Sequence, residues 1–227
     1  MSSDEPNPRE GRGSPMPGCI ILSAIIVIFG GLIVLYAVVG MYQTKEIDTF
    51  TQEEPAVIEV PQPTRAEVES AKGKLETIEK AVAEERSERV LFTAEDLNAM
   101  IATLEIAKDF RGETIIESID SRGIFARMAQ PMRKGIIRKG FRYLNGTFLF
   151  KPELRRRTVA FTVSDIRADE GSVPQGFIDN YAVIDFFRID PKNEAIEANI
   201  DGIVAVYVED GHLVVETGVR HEDESAE

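Results

Sequence analysis

Residues 19–42 read CIILSAIIVIFGGLIVLYAVVGMY, twenty-four positions without a formal charge. At about 1.5 Å of rise per residue, a helix of that length reaches about 36 Å, enough to cross a hydrocarbon core of about 30 Å with some tilt. Tyr36 and Tyr42 fall toward its C-terminal end, where amphipathic rings favour the membrane interface. We expect one transmembrane helix over residues 18–42. A cleaved signal peptide is the alternative, with Ala37-Val38-Val39-Gly40 as its small-residue site. Against it, signal peptides carry apolar regions of only about 7–15 residues. Residues 1–17, rich in Pro, Gly and Ser, read as a disordered N-terminus.

Orientation follows from the basic residues alone. Arg9 and Arg12 precede the apolar block, and Lys45 is the only basic residue shortly after it. That count favours an internal N-terminus and an extracytoplasmic C-terminal domain, hence a single-pass protein of the cell membrane. The lone cysteine, Cys19, excludes an intramolecular disulfide and a cysteine zinc site. It also precedes the apolar run, where a lipoprotein acylation site would follow one.

Outward from the block, residues 43–63 contain Pro55, Pro61 and Pro63 among acids and read as an extended linker. Residues 64–219 have the length of one domain that can bury its own core, and 220–227 form an acidic tail. Within the domain, Thr64 and Glu67 have capping-box spacing after Pro63. Val68, Ala71, Leu75, Ile78 and Val82 then recur at steps of three and four. This narrow stripe predicts a stalk-like helix over 64–87, either docked on its own domain or paired with a partner helix.

Val90-Leu91-Phe92 leads into a second helix capped by Thr93, with Leu97, Met100, Ile101 and Leu104 on its apolar face. After Gly112 the period changes to two. Strands are expected near 114–119, 123–130, 142–151, 156–167, 195–208 and 212–218, with Asp210-Gly211 as a tight hairpin turn. Pro131 and Pro174 read as strand ends, and residues 173–188 as a short helix with aromatic anchors. Asn145-Gly146 reads as a turn or a bend within its strand. Helices followed by a meander predict an α+β fold whose antiparallel sheet is curved and covered on one face.

The order of these segments resembles single-anchor bacterial envelope proteins of the YpmS type. The resemblance runs from one N-terminal span through LFTAEDLNAMIA, a strand pair ending near Pro131, FRYLNGTFLF and TVAFTVSDIRADEGSVPQGFIDNY, covering roughly residues 20–218. It implies an extracytoplasmic domain with a likeness to curved-sheet lipid-binding modules, and it carries over no catalytic residue.

Charge is unevenly distributed. Eleven basic residues and one acid lie between Arg122 and Arg157, whereas sixteen acids and four basic residues follow from Thr158 to the end. Arg133, Lys134, Arg138, Lys139 and Arg142, with Ile136, Ile137 and Phe141 among them, have the composition of a segment that lies on an anionic bilayer. Each such cation near a membrane surface contributes about 1 kcal/mol. A solvated loop is the other reading. The acidic whole, with net charge −13, weighs against nucleic acid as a partner.

Catalytic patterns are missing. His212 and His221 are the only histidines, one at the hairpin turn and one in the tail, and the chain has no Trp to stack on a sugar ring. No phosphate loop or metal-ligand spacing occurs, so no cofactor, metal or catalytic residue is expected. Asn98, beside Leu97 on the second helix, reads as a helix-surface amide or a cap to a neighbouring loop, with a ligand contact as the other reading. The expected function is a membrane-anchored, non-enzymatic envelope module that binds lipid or an apolar ligand on its sheet. The alternative is a scaffold that pairs through the 64–87 helix.

Overall fold

The computed structural model describes residues 16–133, 140–155, 158–182, 187–189 and 202–218. Helix α1 spans Met16–Ile47 and contains the expected 18–42 stretch. Its segment Ile25–Ile47 is the one helix, among the described residues, long and apolar enough to cross a membrane. From Ile25 to Tyr42 its large apolar side chains point away from the rest of the chain, Tyr42 being 77% exposed. Apolar surface on that scale is stable only where lipid or protein covers it.

Helix α2 (Arg65–Ala83) starts at the predicted capping box. The Thr64 hydroxyl accepts from the Glu67 amide, and the Glu67 carboxylate accepts from the Thr64 amide. Its stripe docks within its own chain, with Ala71, Ile78 and Ala81 buried. Strand β1 (Glu88–Phe92) then leads to helix α3 (Ala94–Thr103), which opens on a second capping box between Thr93 and Asp96. A 3₁₀ helix, Glu105–Phe110, follows.

The remaining strands are β2 (Thr114–Asp120), β3 (Gly123–Arg133), β4 (Phe141–Arg155), β5 (Thr158–Ala168), β6 (Phe187–Ile189), β7 (Ile203–Glu209) and β8 (His212–Thr217), with helix α4 (Gln175–Ala182) after β5. They form two antiparallel sheets rather than the single curved one expected. One has the order β2-β3-β4-β5-β6 and the other β1-β8-β7. The difference lies in β1: Glu88 pairs with Thr217, Val90 with Val215 and Phe92 with Leu213. Pairing across that much chain has no local sequence signal.

Several local expectations hold. Asp210 (φ 46°) and Gly211 (φ 77°) make the tight turn between β7 and β8. Both central residues need positive φ in such a turn, which is why Asp-Gly suits it. Others shift. Pro131 does not end its strand, because β3 continues to Arg133 opposite Phe141. Beyond Met128, β3 has no partner on its β2 side, so a residue without an amide donor is tolerated there. Pro174 starts α4 instead of ending a strand, and its carbonyl accepts from the Phe177 and Ile178 amides. Parts of the expected 156–167 and 195–208 strands, at 156–157 and 195–201, lie outside the described residues. So do residues 183–186 of the expected 173–188 helix, and Phe187–Ile189 belongs to a strand.

The expected 43–63 linker is in part a strap fastened to the domain. β5 leaves β4 at Gly146, paired with Ala168. Just beyond, Gln52 takes its place through reciprocal backbone bonds of 2.8 Å with Tyr143. Asn145, buried within β4 rather than at a turn, accepts from the Ala56 amide (2.9 Å) and donates to the Glu54 carbonyl (3.0 Å) and the Gln52 side chain. Phe50 is buried and meets Phe177 edge-on, with ring centroids 5.1 Å apart. Gly171, at φ +69°, lies so close that a Cβ would be 2.2 Å from the Thr49 carbonyl oxygen. The end of α1 is thereby held against the sheet, not hung from a free tether.

Candidate ligand-binding cavity

The two sheets, α2, α3 and the 3₁₀ helix enclose one cavity of about 400 Å³. Alternation along the strands builds its walls. Ile124, Ala126 and Met128 from β3 face it together, as do Leu213 and Val215 from β8, while Ile203 and Val206 of β7 line it from either side of an irregularity in the β7–β8 register. Side chains two apart share a face of a strand, so the same period-two pattern that identified these strands also makes their inward faces apolar. Phe92, Phe150 and Phe161 add aromatic surface, and Leu97, Met100 and Ile101 present the apolar face of α3.

Of the described lining residues only Glu79 and Thr114 are polar. Thr114 is buried, whereas Glu79 on α2 and Ile106 on the 3₁₀ helix are exposed. The cavity therefore reaches the surface beside these two. Helix α3 and the 3₁₀ helix are held at the rim by Arg111, which donates to the Ile101 and Leu104 carbonyls.

A buried polar cluster ties α2 to α3 along the same wall. Asp96 pairs with the Lys74 ammonium and accepts from the Ser70 hydroxyl (2.8 Å) and the Thr93 amide (2.8 Å). Burial pushes the Asp96 carboxyl up, but the Lys74, Thr93 and Ser70 hydrogen bonds, with the Lys74 charge, outweigh burial and hold it below its ordinary value. These groups are mutually satisfied, so the cluster is a joint between helices.

Asn98 is a cap and touches no cavity. Its amide donates to the Ile116 carbonyl (2.9 Å) and accepts from the Ile116 amide (2.8 Å), completing the outer edge of β2. There the β2–β3 register slips between Ile116 and Ser118. His212 lies at the exposed hairpin turn, bonded through Nδ1 to the Asp210 carbonyl at 2.8 Å. Among the described residues no His, Cys, Asp and Glu group could hold a metal ion.

Of the five basic residues expected at a membrane surface, Lys134, Arg138 and Lys139 lie outside the described residues, and Arg133 ends β3. Arg142 is used inside the protein. Its guanidinium donates to the Thr51 hydroxyl (2.8 Å) and carbonyl and lies 3.3 Å from Asp48 and 3.5 Å from Glu53. Only 14% of its side chain is exposed, and it fastens the strap rather than reaching for headgroups. Phe141, its neighbour, is 58% exposed.

The apolar faces of α3 and of the strands are legible in the sequence, and an apolar ligand is expected on the sheet. The cavity between them had no sequence signal, because it depends on how far apart the two sheets are held. Compared with protein-family models, curated proteins and solved structures, the chain matches none.

Proposed function

We propose that this chain is a membrane-anchored module that takes up a single long apolar chain, such as the acyl or alkyl chain of a lipid, in the cavity between its sheets. The cavity itself carries the reading. Left without a guest, about 400 Å³ of almost wholly apolar space open at one side keeps a concave apolar surface against water, which burial under an apolar chain would relieve. A space of this size and lining is explained by an occupant. An apolar cavity of about 150 Å³ takes up benzene, so by proportion this one suits a chain of roughly sixteen carbon atoms.

The anchor supplies the source of such a ligand. Tyr143 meets the strap at Gln52, and Phe150, which lines the cavity, lies seven residues further along β4. At about 3.3 Å per residue, the cavity lies up to about 23 Å from that junction. The Lys and Arg count around the apolar helix and the resemblance to YpmS-type proteins both favour the extracytoplasmic side. The alternative of a scaffold pairing through α2 is weakened, because Ala71 and Ile78 of its stripe are already buried at home.

The test is photolabelling of the full chain in lipid nanodiscs with a sixteen-carbon alkyl probe carrying a diazirine near its tail. Mass spectrometry of the digested protein should place adducts on peptides of α3, β3 and β8. Adducts confined to residues 19–42 would show partition into the bilayer alone and remove the proposal.

A second contact is read at the β3–β4 end. Arg142 and Tyr143 touch Asp48 and Gln52, close to where α1 ends, and Arg133, Lys134, Arg138 and Lys139 precede them in the chain. Replacing these four by Glu, in a chain beginning after Tyr42, should lower flotation with vesicles that are one part in three anionic lipid. Equal flotation of the two proteins at low salt would discard this contact.

A further inference from the structure

Resting on the cavity reading, we infer that the ligand's head is uncharged or cationic, and that Glu79 at the mouth selects against anionic heads. Among the described residues the cavity lining includes no Lys, Arg or His. A carboxylate or phosphate drawn inside would meet no cation, and burying an unpaired anion is prohibitive. An anionic head must therefore stay at the mouth, where the rim decides its fate.

The charges at the rim are unequal in their freedom. On the 3₁₀ helix Lys108 lies 3.1 Å from Glu105, and Arg111 is spent on the Ile101 and Leu104 carbonyls and lies 3.9 Å from the same Glu105. On α2, Lys72 and Lys80 sit 3.5 Å and 4.0 Å from Glu76 and Glu84. Glu79 alone among the charged residues touches the cavity, and it has no ion pair among the described residues. Among the described residues the uncompensated charge at the opening is negative. A hydroxyl or ammonium head can donate to this carboxylate, whereas a carboxylate or phosphate head is repelled by it. Deeper in, Thr114 provides the only hydroxyl among the described lining residues, which suits a neutral polar group on the ligand and neutralises no charge.

The experiment is competition for cavity labelling in full-length protein in zwitterionic nanodiscs, at neutral pH and low salt, with a diazirine-bearing hexadecanol as the probe. Unlabelled hexadecanol and hexadecyl phosphate compete in parallel, and the readout is the ratio of their half-effective concentrations. Comparing this ratio between proteins cancels the competitors' different partition into the bilayer. One unit charge at about 4 Å in water is worth about 1 kcal/mol, or about fivefold. Glu79→Gln should therefore shift the ratio about fivefold toward the phosphate, and Glu79→Lys about twenty-fivefold. A ratio that stays the same in Glu79→Lys, with the probe still labelling the cavity, overturns the head-group selection and leaves the cavity reading intact. Absence of cavity labelling in the wild-type chain overturns both.

Discussion

Replacing Ala126 by Phe should abolish labelling of the cavity by an alkyl probe while leaving the domain folded. Ala126 is 1% exposed, lies on β3 between Ile124 and Met128, and lines the cavity with both. Its Cβ points into the space between the sheets, so a phenyl ring there occupies volume that a ligand would need. A ring of that size fills an apolar cavity of about 150 Å³, more than a third of the roughly 400 Å³ present. We expect at least tenfold less adduct on the α3, β3 and β8 peptides. Stability should hold or rise. Burying the added ring against the apolar lining gains about 1.5–3 kcal/mol, against about 1–3 kcal/mol for strain from adjusting neighbours. The check is thermal unfolding of both proteins in nanodiscs, together with the labelling. Undiminished labelling in a variant of unchanged melting temperature would show that the probe sits elsewhere. Should the variant melt well below wild type, Val206→Phe introduces the same ring from β7, across the cavity, and repeats the test.

The second large effect is expected at Asp96, which joins α2 to α3 along the cavity wall. Asp96→Ala removes the reciprocal cap with Thr93, the bond from Ser70 and the pair with Lys74. Loss of a cap costs about 1 kcal/mol, and hydrogen bonds to a charged group are worth about 1.5–3 kcal/mol. Lys74 keeps partial access to water, with 29% of its side chain exposed, so it is not stranded as a fully buried cation would be. The expected loss is about 2–4 kcal/mol, read from urea unfolding. Asp96→Asn retains an acceptor for the Thr93 amide and should lose about half as much.

The pH dependence has a definite sign. The folded Asp96 carboxyl titrates below its unfolded value, so the folded state binds fewer protons as this group titrates. Its contribution is fully present above the ordinary aspartate range and is lost as pH falls through the lower, folded value. Wild type should therefore lose stability more steeply than Asp96→Asn below about pH 4. Parallel acid profiles would show that Asp96 is not held ionised by its neighbours.

By itself the sequence determined the elements whose causes are local. Twenty-four uncharged positions specify an apolar helix wherever they are placed, because backbone bonding within the helix and side-chain transfer out of water both follow from composition. Thr64 with Glu67 set the start of α2, and Asp210-Gly211 set the last hairpin, since each uses groups a few residues apart. The apolar faces of α3 and the long strands were legible from their periods for the same reason.

What only the tertiary structure decided was how far apart those faces stand and which of them meet. β1 joins β8 across more than a hundred residues and divides one expected sheet into two. The strap settles on β4 because β5 leaves an unpaired edge there, which Gln52 and Asn145 then use. Arg142, one of five similar cations in the sequence, is withdrawn from the surface by Asp48 and Thr51 from a distant part of the chain. The cavity follows from that spacing. Apolar patterning fixes which side chains turn inward, but only the packing of complete elements decides whether they touch or leave room for a guest.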